Sequence, residues 1–258
     1  MRLMKRILSA AAVLALSASL LVGCSSGTAS SVPVSASSAA ESTVSSVEET
    51  ASSAVDENEA AAAQLLNDLT GSYQELWPVI LADKYQQTWL DDCTALVGEE
   101  NAEAAFEKLS SMVTSDVYGE DAVEAYANGG GAYFCGFTNS LATLTFDGET
   151  STISGTDKDG NVLFSHTYHY IGMEPVHGLY EFESDDADSG EFTYFFLAPD
   201  TSAETYHIEF RYGSDAEALS QYDAGEYAYW VASGISTDCD QTMIDNCIEL
   251  FCTENLAG

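Results

Sequence analysis

His207 and Glu209 stand two residues apart in a run of aromatic and β-branched residues, Tyr206 to Tyr212. On an extended strand every second side chain points the same way, so this imidazole and carboxylate would share one face. Both groups coordinate divalent metals, zinc among them, although a zinc site needs at least a third ligand. A metal held there would be lost below about pH 6, where an imidazole near its reference pKa takes up a proton. His207 also fits the commoner role of an interior histidine satisfied by its neighbours, and both readings stand at this level. His166 and His169 lie three apart on an earlier extended run, so they point to opposite faces and at most one can face inward. His177 precedes another such run; all three read as surface or rim residues. Asp157, Asp159, Gly160 and Asn161 open like a calcium loop but lack the EF-hand spacing and closing glutamate, so a hairpin turn explains them better. The acidic run Ser184 to Asp188 reads as a solvated hairpin tip that would hold calcium only weakly. Gly129 to Gly131 is a connection and not a phosphate loop, because no lysine or helix-opening hydroxyl follows. No G-x-S-x-G, triad or paired nucleophile and base is present, so the sequence supports no enzyme.

The N-terminus carries a different chemistry. Arg2, Lys5 and Arg6 precede an apolar run from Ile7 to Val22, which ends in Gly23 and Cys24. That order reads as a signal peptide over residues 1–23, too short to cross a bilayer with comfort as a helix. Leu21-Val22-Gly23-Cys24 resembles the bacterial lipobox, in which cleavage falls just before a diacylated cysteine. Two acyl chains suffice for stable anchoring. Lipidation at Cys24 would therefore leave the chain on the outer face of the bacterial cell membrane, with that membrane as its first partner.

The chain carries 7 basic and 42 acidic residues, a net charge of −35. Such a surface repels phosphate arrays, which excludes nucleic acid as a partner and keeps the protein soluble outside the cell. Beyond Cys24 the cysteines are Cys93, Cys135, Cys239, Cys247 and Cys252. Their number is odd, none forms a C-x-x-C, and the last gaps do not suit a zinc knuckle. They read as small hydrophobes or structural disulfide partners, with the connectivity open.

Three regions must position these groups. Residues 24–58 form a Ser, Ala, Thr, Val and Glu tract that buries too little to offset ordering entropy, and reads as a disordered stalk. Residues 59–258 are a normal size for one domain. Its first part is helical in pattern: Ala60 to Leu69, Tyr73 to Cys93 with a break at Pro78, Asn101 to Val113, and Asp121 to Ala127. After the glycines the period becomes two. Ala132–Phe137, Leu141–Phe146, Thr150–Ser154, Val162–Tyr170, Leu179–Glu183, Phe192–Ala198 and Tyr206–Tyr212 alternate between turn signals. Short antiparallel strands at this spacing predict a barrel or sandwich. Ser214 to Tyr222 and Asp240 to Thr253 return to helix, the latter with Ile244, Cys247, Ile248 and Phe251 on one stripe against the sheet.

The order of these pieces resembles the ZinT family of extracytoplasmic zinc-binding proteins. Leu69 to Pro78 is similar to that family's W-x-G-x-W-x-S-V-Y-P opening. Phe196-Leu197-Ala198-Pro199 followed by Tyr206 to Gly213 resembles its D-H-x-I-A-P and H-F-H-I-F-x-G segment. Tyr229 to Ser236, running into the last helix, resembles its W-P-T-Y-Y-P ending. The resemblance implies an α+β fold, a lipocalin-like (calycin) antiparallel barrel with N-terminal helices and a C-terminal helix. It also implies zinc or another divalent cation, held by three histidines, and a partner among metal-uptake transporters. Only the last of those histidines is present, as His207. Phe196 and Thr205 take the other two places, so Glu209 is the candidate replacement ligand.

Two functions follow from this reading. One is a lipid-anchored, zinc-type metal-binding protein that supports uptake. The other is the same barrel with its metal site lost, holding a small apolar ligand or a surface partner. Both require the anchor. Cys24→Ala is expected to abolish incorporation of a clickable fatty acid, and equal labelling of variant and wild type would overturn the lipidation.

Overall fold

The computed structural model describes residues 57–114, 116–198 and 207–257; the signal peptide, Cys24, most of the stalk and Thr205 lie outside them. Helix α1, residues 57–68, places Ala62, Leu65 and Leu66 on the buried side, with Leu69 just beyond it. This is helical spacing, and these residues join the same buried cluster as the barrel interior. The chain continues through β1 (Gly71–Glu75), α2 (Leu76–Ile80), α3 (Gln86–Val97), α4 (Glu99–Met112) and α5 (Glu120–Ala127). Strands β2 (Thr143–Asp147), β3 (Thr152–Thr156), β4 (Val162–Met173), β5 (Tyr180–Ser184), β6 (Tyr194–Leu197) and β7 (His207–Gly213) then run as a meander. Helix α6 (Ala216–Leu219) leads to β8 (Ala232–Ser236) and the C-terminal α7 (Gln241–Leu256).

The eight strands form one closed antiparallel barrel. Closure comes from β1 against β8, with Tyr73 opposite Ser236 and Glu75 opposite Gly234. This is the lipocalin-like α+β architecture that the family resemblance implied. Its interior is filled by its own side chains. Phe195, Phe210 and Tyr212 stack at 5.4–6.4 Å between centroids, and Leu144, Phe146, Ile153 and Phe182 pack in the same cluster. A second core lies outside the wall. There Leu76, Trp77, Ile80, Trp89, Leu109, Ile248 and Phe251 from the helices cover Ile235 of β8.

Three expectations change. Tyr73 belongs to β1 and not to a helix. Within Ala132–Phe137 only Phe134 makes strand-like pairing, as isolated bridges to Thr114 and Trp230. The segment donates and accepts along residues 229–233 and is no barrel strand. The eighth strand is β8, whose Ala-Ser-Gly-Ile-Ser is buried throughout and therefore shows no polar alternation. Gly234 is needed there: a Cβ would sit 3.1 Å from Ile208 Cγ1 and 3.4 Å from the Tyr73 Cβ.

The β2–β3 turn packs on α1 so closely that a Cβ at Gly148 would lie 2.4 Å from Asn67 Cα and 2.6 Å from the Leu66 carbonyl. Because both obstacles are backbone, Gly148→Ala should destabilise the fold by about 1–3 kcal/mol in urea unfolding. Gly172→Ala, whose new methyl meets only Glu181 Oε2 at 3.8 Å, should stay within about 0.5 kcal/mol.

Candidate metal crevice between the barrel wall and the C-terminal helix

Alternation along β7 sends Ile208, Phe210 and Tyr212 into the barrel, and His207, Glu209 and Arg211 to its outer face. The register confirms the outward row, since His207 pairs with Ile235 and Glu209 with Ser233, and Ile235 belongs to the helix-side core. His207 is thus buried, 5% exposed, but on the outside of the wall and not in the interior. Its cover is α7. Asp240 caps that helix by accepting a hydrogen bond from Met243 N at 3.0 Å, and Ile244, Cys247, Ile248, Phe251 and Cys252 form its buried stripe. Trp77 of α2 meets Phe251 edge-on at 4.7 Å and completes the enclosure.

Where α2 and α7 meet the wall they leave a crevice of about 20 Å³, lined among others by Trp77, His207, Glu209, Cys247 and Glu254. A space of that order accommodates roughly one water or one ion. An imidazole, two carboxylates and a thiol therefore border one ion-sized space. They do not yet converge, for no three His, Cys, Asp or Glu among the described residues stand as a metal-holding group. Sequence reasoning missed Glu254 and read Cys247 as a small hydrophobe or a structural disulfide partner, not as a ligand. The signal was available: the two lie seven apart, two helical turns, on the stripe already assigned to the sheet.

Burial pushes the His207 imidazole down to about 4, so it is neutral at physiological pH. Protonation of the buried ring therefore sets in at lower pH than the reference value used for the sequence expectation. Burial, with Cys239 nearby, pushes the Cys247 thiol up to about 12. Cys135 is also raised by burial and by the Glu209 carboxylate, against the hydrogen-bonding influence of Ser233 and Trp77.

The remaining candidates lie elsewhere. His166 Nδ1 meets Asp186 Oδ2 at 2.8 Å, and His169 Nδ1 meets Asp185 Oδ1 at 2.7 Å. The acidic hairpin tip thus holds two histidines. His177 Nδ1 lies 3.4 Å from Glu174 Oε2, and its ring packs on Tyr222. Asp157 accepts from the backbone N–H of Asp159 and Asn161 and from the Asn161 side chain, as a hairpin turn requires. Phe196 does not stand over His207. It pairs with Arg211, four residues further along β7, roughly 13 Å at the rise of a strand. Its neighbour Phe195 packs with Phe210 and Tyr212 inside the barrel. Thr205 lies outside the described residues.

The depressed imidazole has a stability consequence with a definite sign. Between about pH 4 and 6.5 the unfolded chain protonates His207 and the folded chain does not. This contribution to stability is complete above pH 6.5 and is lost as pH falls toward 4, by about 3 kcal/mol. Urea unfolding from pH 7 to 4 should show that slope in wild type, and it should remain in the difference between wild type and His207→Gln, because the variant lacks the imidazole.

No protein-family profile matches the sequence, and no curated protein matches it. Among solved structures, the chain is similar to the Zn(II)-bound ZinT-like domain of Streptococcus pneumoniae AdcA, at 15% identity and a TM-score of 0.44, over 70% of this chain and 87% of that one. It is also similar to Zn(II)-bound AdcA from the same organism, at 14% identity and a TM-score of 0.42, over 72% of this chain but only 35% of that one. The likeness is one of fold.

Proposed function

We propose that this chain is a binding protein, not an enzyme, that takes up a divalent cation of the zinc class in the crevice between β7 and α7. Lipid on Cys24 would hold it at the outer face of the bacterial membrane, where it would pass the ion to a metal-uptake transporter. The observation that carries the proposal is the donor set around one ion-sized space: His207 and Glu209 on the wall, Cys247 and Glu254 on the helix. Nitrogen, carboxylate and sulfur donors are the ligands zinc and similar borderline ions accept. The neutral imidazole can donate without first losing a proton. Similarity in fold to zinc-bound domains agrees with this reading. Because the donors must still close around the ion, the affinity should be modest.

A second reading has its own support. The barrel interior is packed with stacked aromatics, whereas a larger groove of about 490 Å³ is also lined in part by Trp77. Pro78, Leu81, Val113 and Phe134 supply apolar walls, with Glu75 and Asp116 among the lining residues. That volume lies within the range of small-molecule sites.

Calorimetry with zinc separates the two. His207→Ala should weaken binding at least tenfold, as loss of a main ligand does, while His166→Ala should leave it unchanged within error. Wild-type binding should persist at pH 5.5, since the free imidazole titrates near 4. Equal zinc binding by wild type and His207→Ala would overturn the metal reading at β7 and favour the groove.

A further inference from the structure

Cys93 of α3 and Cys252 of α7 point at each other across the helix-side core, with their sulfurs 3.9 Å apart and both residues 0% exposed. They are separated by 159 residues in sequence and lie on α3 and on the last helix, α7. The two helices pack directly, and Trp89 on α3 meets Phe251 on α7 edge-on at 5.9 Å beside the thiols. A disulfide requires a sulfur separation of about 2.05 Å, so the two sulfurs, at 3.9 Å, would have to approach further for the bond to form. The other cysteines have different surroundings. Cys135 lies against the Tyr133 carbonyl, at 3.8 Å, and near Glu209, while Cys239 is near Cys247.

We propose that Cys93 and Cys252 form a structural disulfide that ties α7 to α3. The inference is independent of the metal reading. The reaction is thiol–disulfide exchange with a disulfide oxidant, either a low-molecular-weight disulfide or an oxidoreductase. One cysteine loses its S–H proton and attacks the oxidant's S–S bond, expelling one thiolate, which takes up a proton. The second cysteine then attacks the mixed disulfide and expels the other. Two protein thiols are oxidised and one oxidant disulfide is reduced to two thiols. Because burial holds the Cys252 and Cys93 thiols in their protonated form and excludes solvent, the bond should form while α7 is still undocked. Once formed it would be closed to external reductants. It would remove two of the five thiols from reactivity and leave Cys135, Cys239 and Cys247 outside the bond.

The test is to reduce and denature the full chain in detergent, then refold it with excess oxidised glutathione, alkylate the free thiols and map the peptides. The expected result is a linked pair of peptides containing Cys93 and Cys252, about 2 Da lighter than the sum of their reduced masses. Folded, reduced protein given the same oxidant should form the link far more slowly. The oxidised protein should melt about 10 °C above the reduced one, given the long loop that the bond closes. A Cys93→Ser, Cys252→Ser protein should melt with the reduced form whatever the redox conditions. If that variant does not fold, the peptide map of wild type decides alone. Alkylation of both Cys93 and Cys252 after oxidative refolding, or a link from either to another cysteine, would overturn the proposal.

Discussion

Arg211 is wholly buried on the outer face of β7, and among the described residues no carboxylate comes within ion-pair distance of it. A guanidinium cannot shed its proton in a protein, so its five donors must be met where they lie. The two terminal nitrogens are met by main chain, while the buried Nε makes no hydrogen bond among the described residues. The carbonyls of Leu219, Gln221 and Tyr227 accept from its two terminal nitrogens, and the Tyr222 ring stacks 4.1 Å from its central carbon. Burial pulls the guanidinium pKa down, while Tyr222 and Tyr133 hold it up. Every one of these carbonyls belongs to the crossover between β7 and β8. One buried charge thus gathers the crossover onto the wall, and any other path for residues 216–227 would leave it unsatisfied. The path in turn delivers Trp230, whose indole donates to the Gly136 carbonyl at 2.9 Å, and then β8.

From that anchoring the rest of the closure follows. β8 must reach β1 to remove both sheet edges, and its small residues let it do so with both faces covered. The aromatic interior of β6 and β7 presses on one side, and Leu76, Trp77 and Ile80 of α2 press on the other. A wall buried on both faces has a chemical consequence: polar side chains on its outer row lose water without entering the barrel. His207 and Glu209 are such residues. Their desolvation is what keeps the imidazole neutral and what makes their shared face distinct from the exposed His–Asp pairs at the β5–β6 end.

The strands with strong alternation were legible in the sequence, because Leu144, Phe146 and Ile153, or Phe164 and Tyr168, mark one buried face against a solvated one. β1 and β8 were not. Tyr73 is the only large inward residue of β1, which runs straight into a helix, and β8 has no exposed face to alternate with. Ala132–Phe137 carried a strand-like composition that its place outside the barrel does not use. For the site, strand parity correctly placed His207 and Glu209 on one face, but parity alone does not say which side of the wall that face is. The helix pattern located the α7 stripe, yet Cys247 and Glu254 became candidate ligands only once α7 was docked over β7. The position taken by Phe196 illustrates the converse: the family resemblance put it at a corner of the site, whereas the strand register puts it beside Arg211.

The docking of α7 also governs which ions the crevice could favour. His207, Glu209 and Glu254 can offer nitrogen and oxygen without a large protonation cost to the imidazole. Cys247 cannot offer thiolate so easily, since its pKa of about 12 makes deprotonation at pH 7 cost on the order of 7 kcal/mol. An ion that bonds weakly to sulfur would leave that thiol protonated and sit among the harder donors on one side of the crevice. An ion with strong affinity for thiolate can offset the cost through the new bond and release the proton, drawing wall and helix together. On the proposed metal reading, the same four side chains would present two different sites according to the softness of what enters, and discrimination between ions would reside in how firmly α7 holds the thiol against the wall.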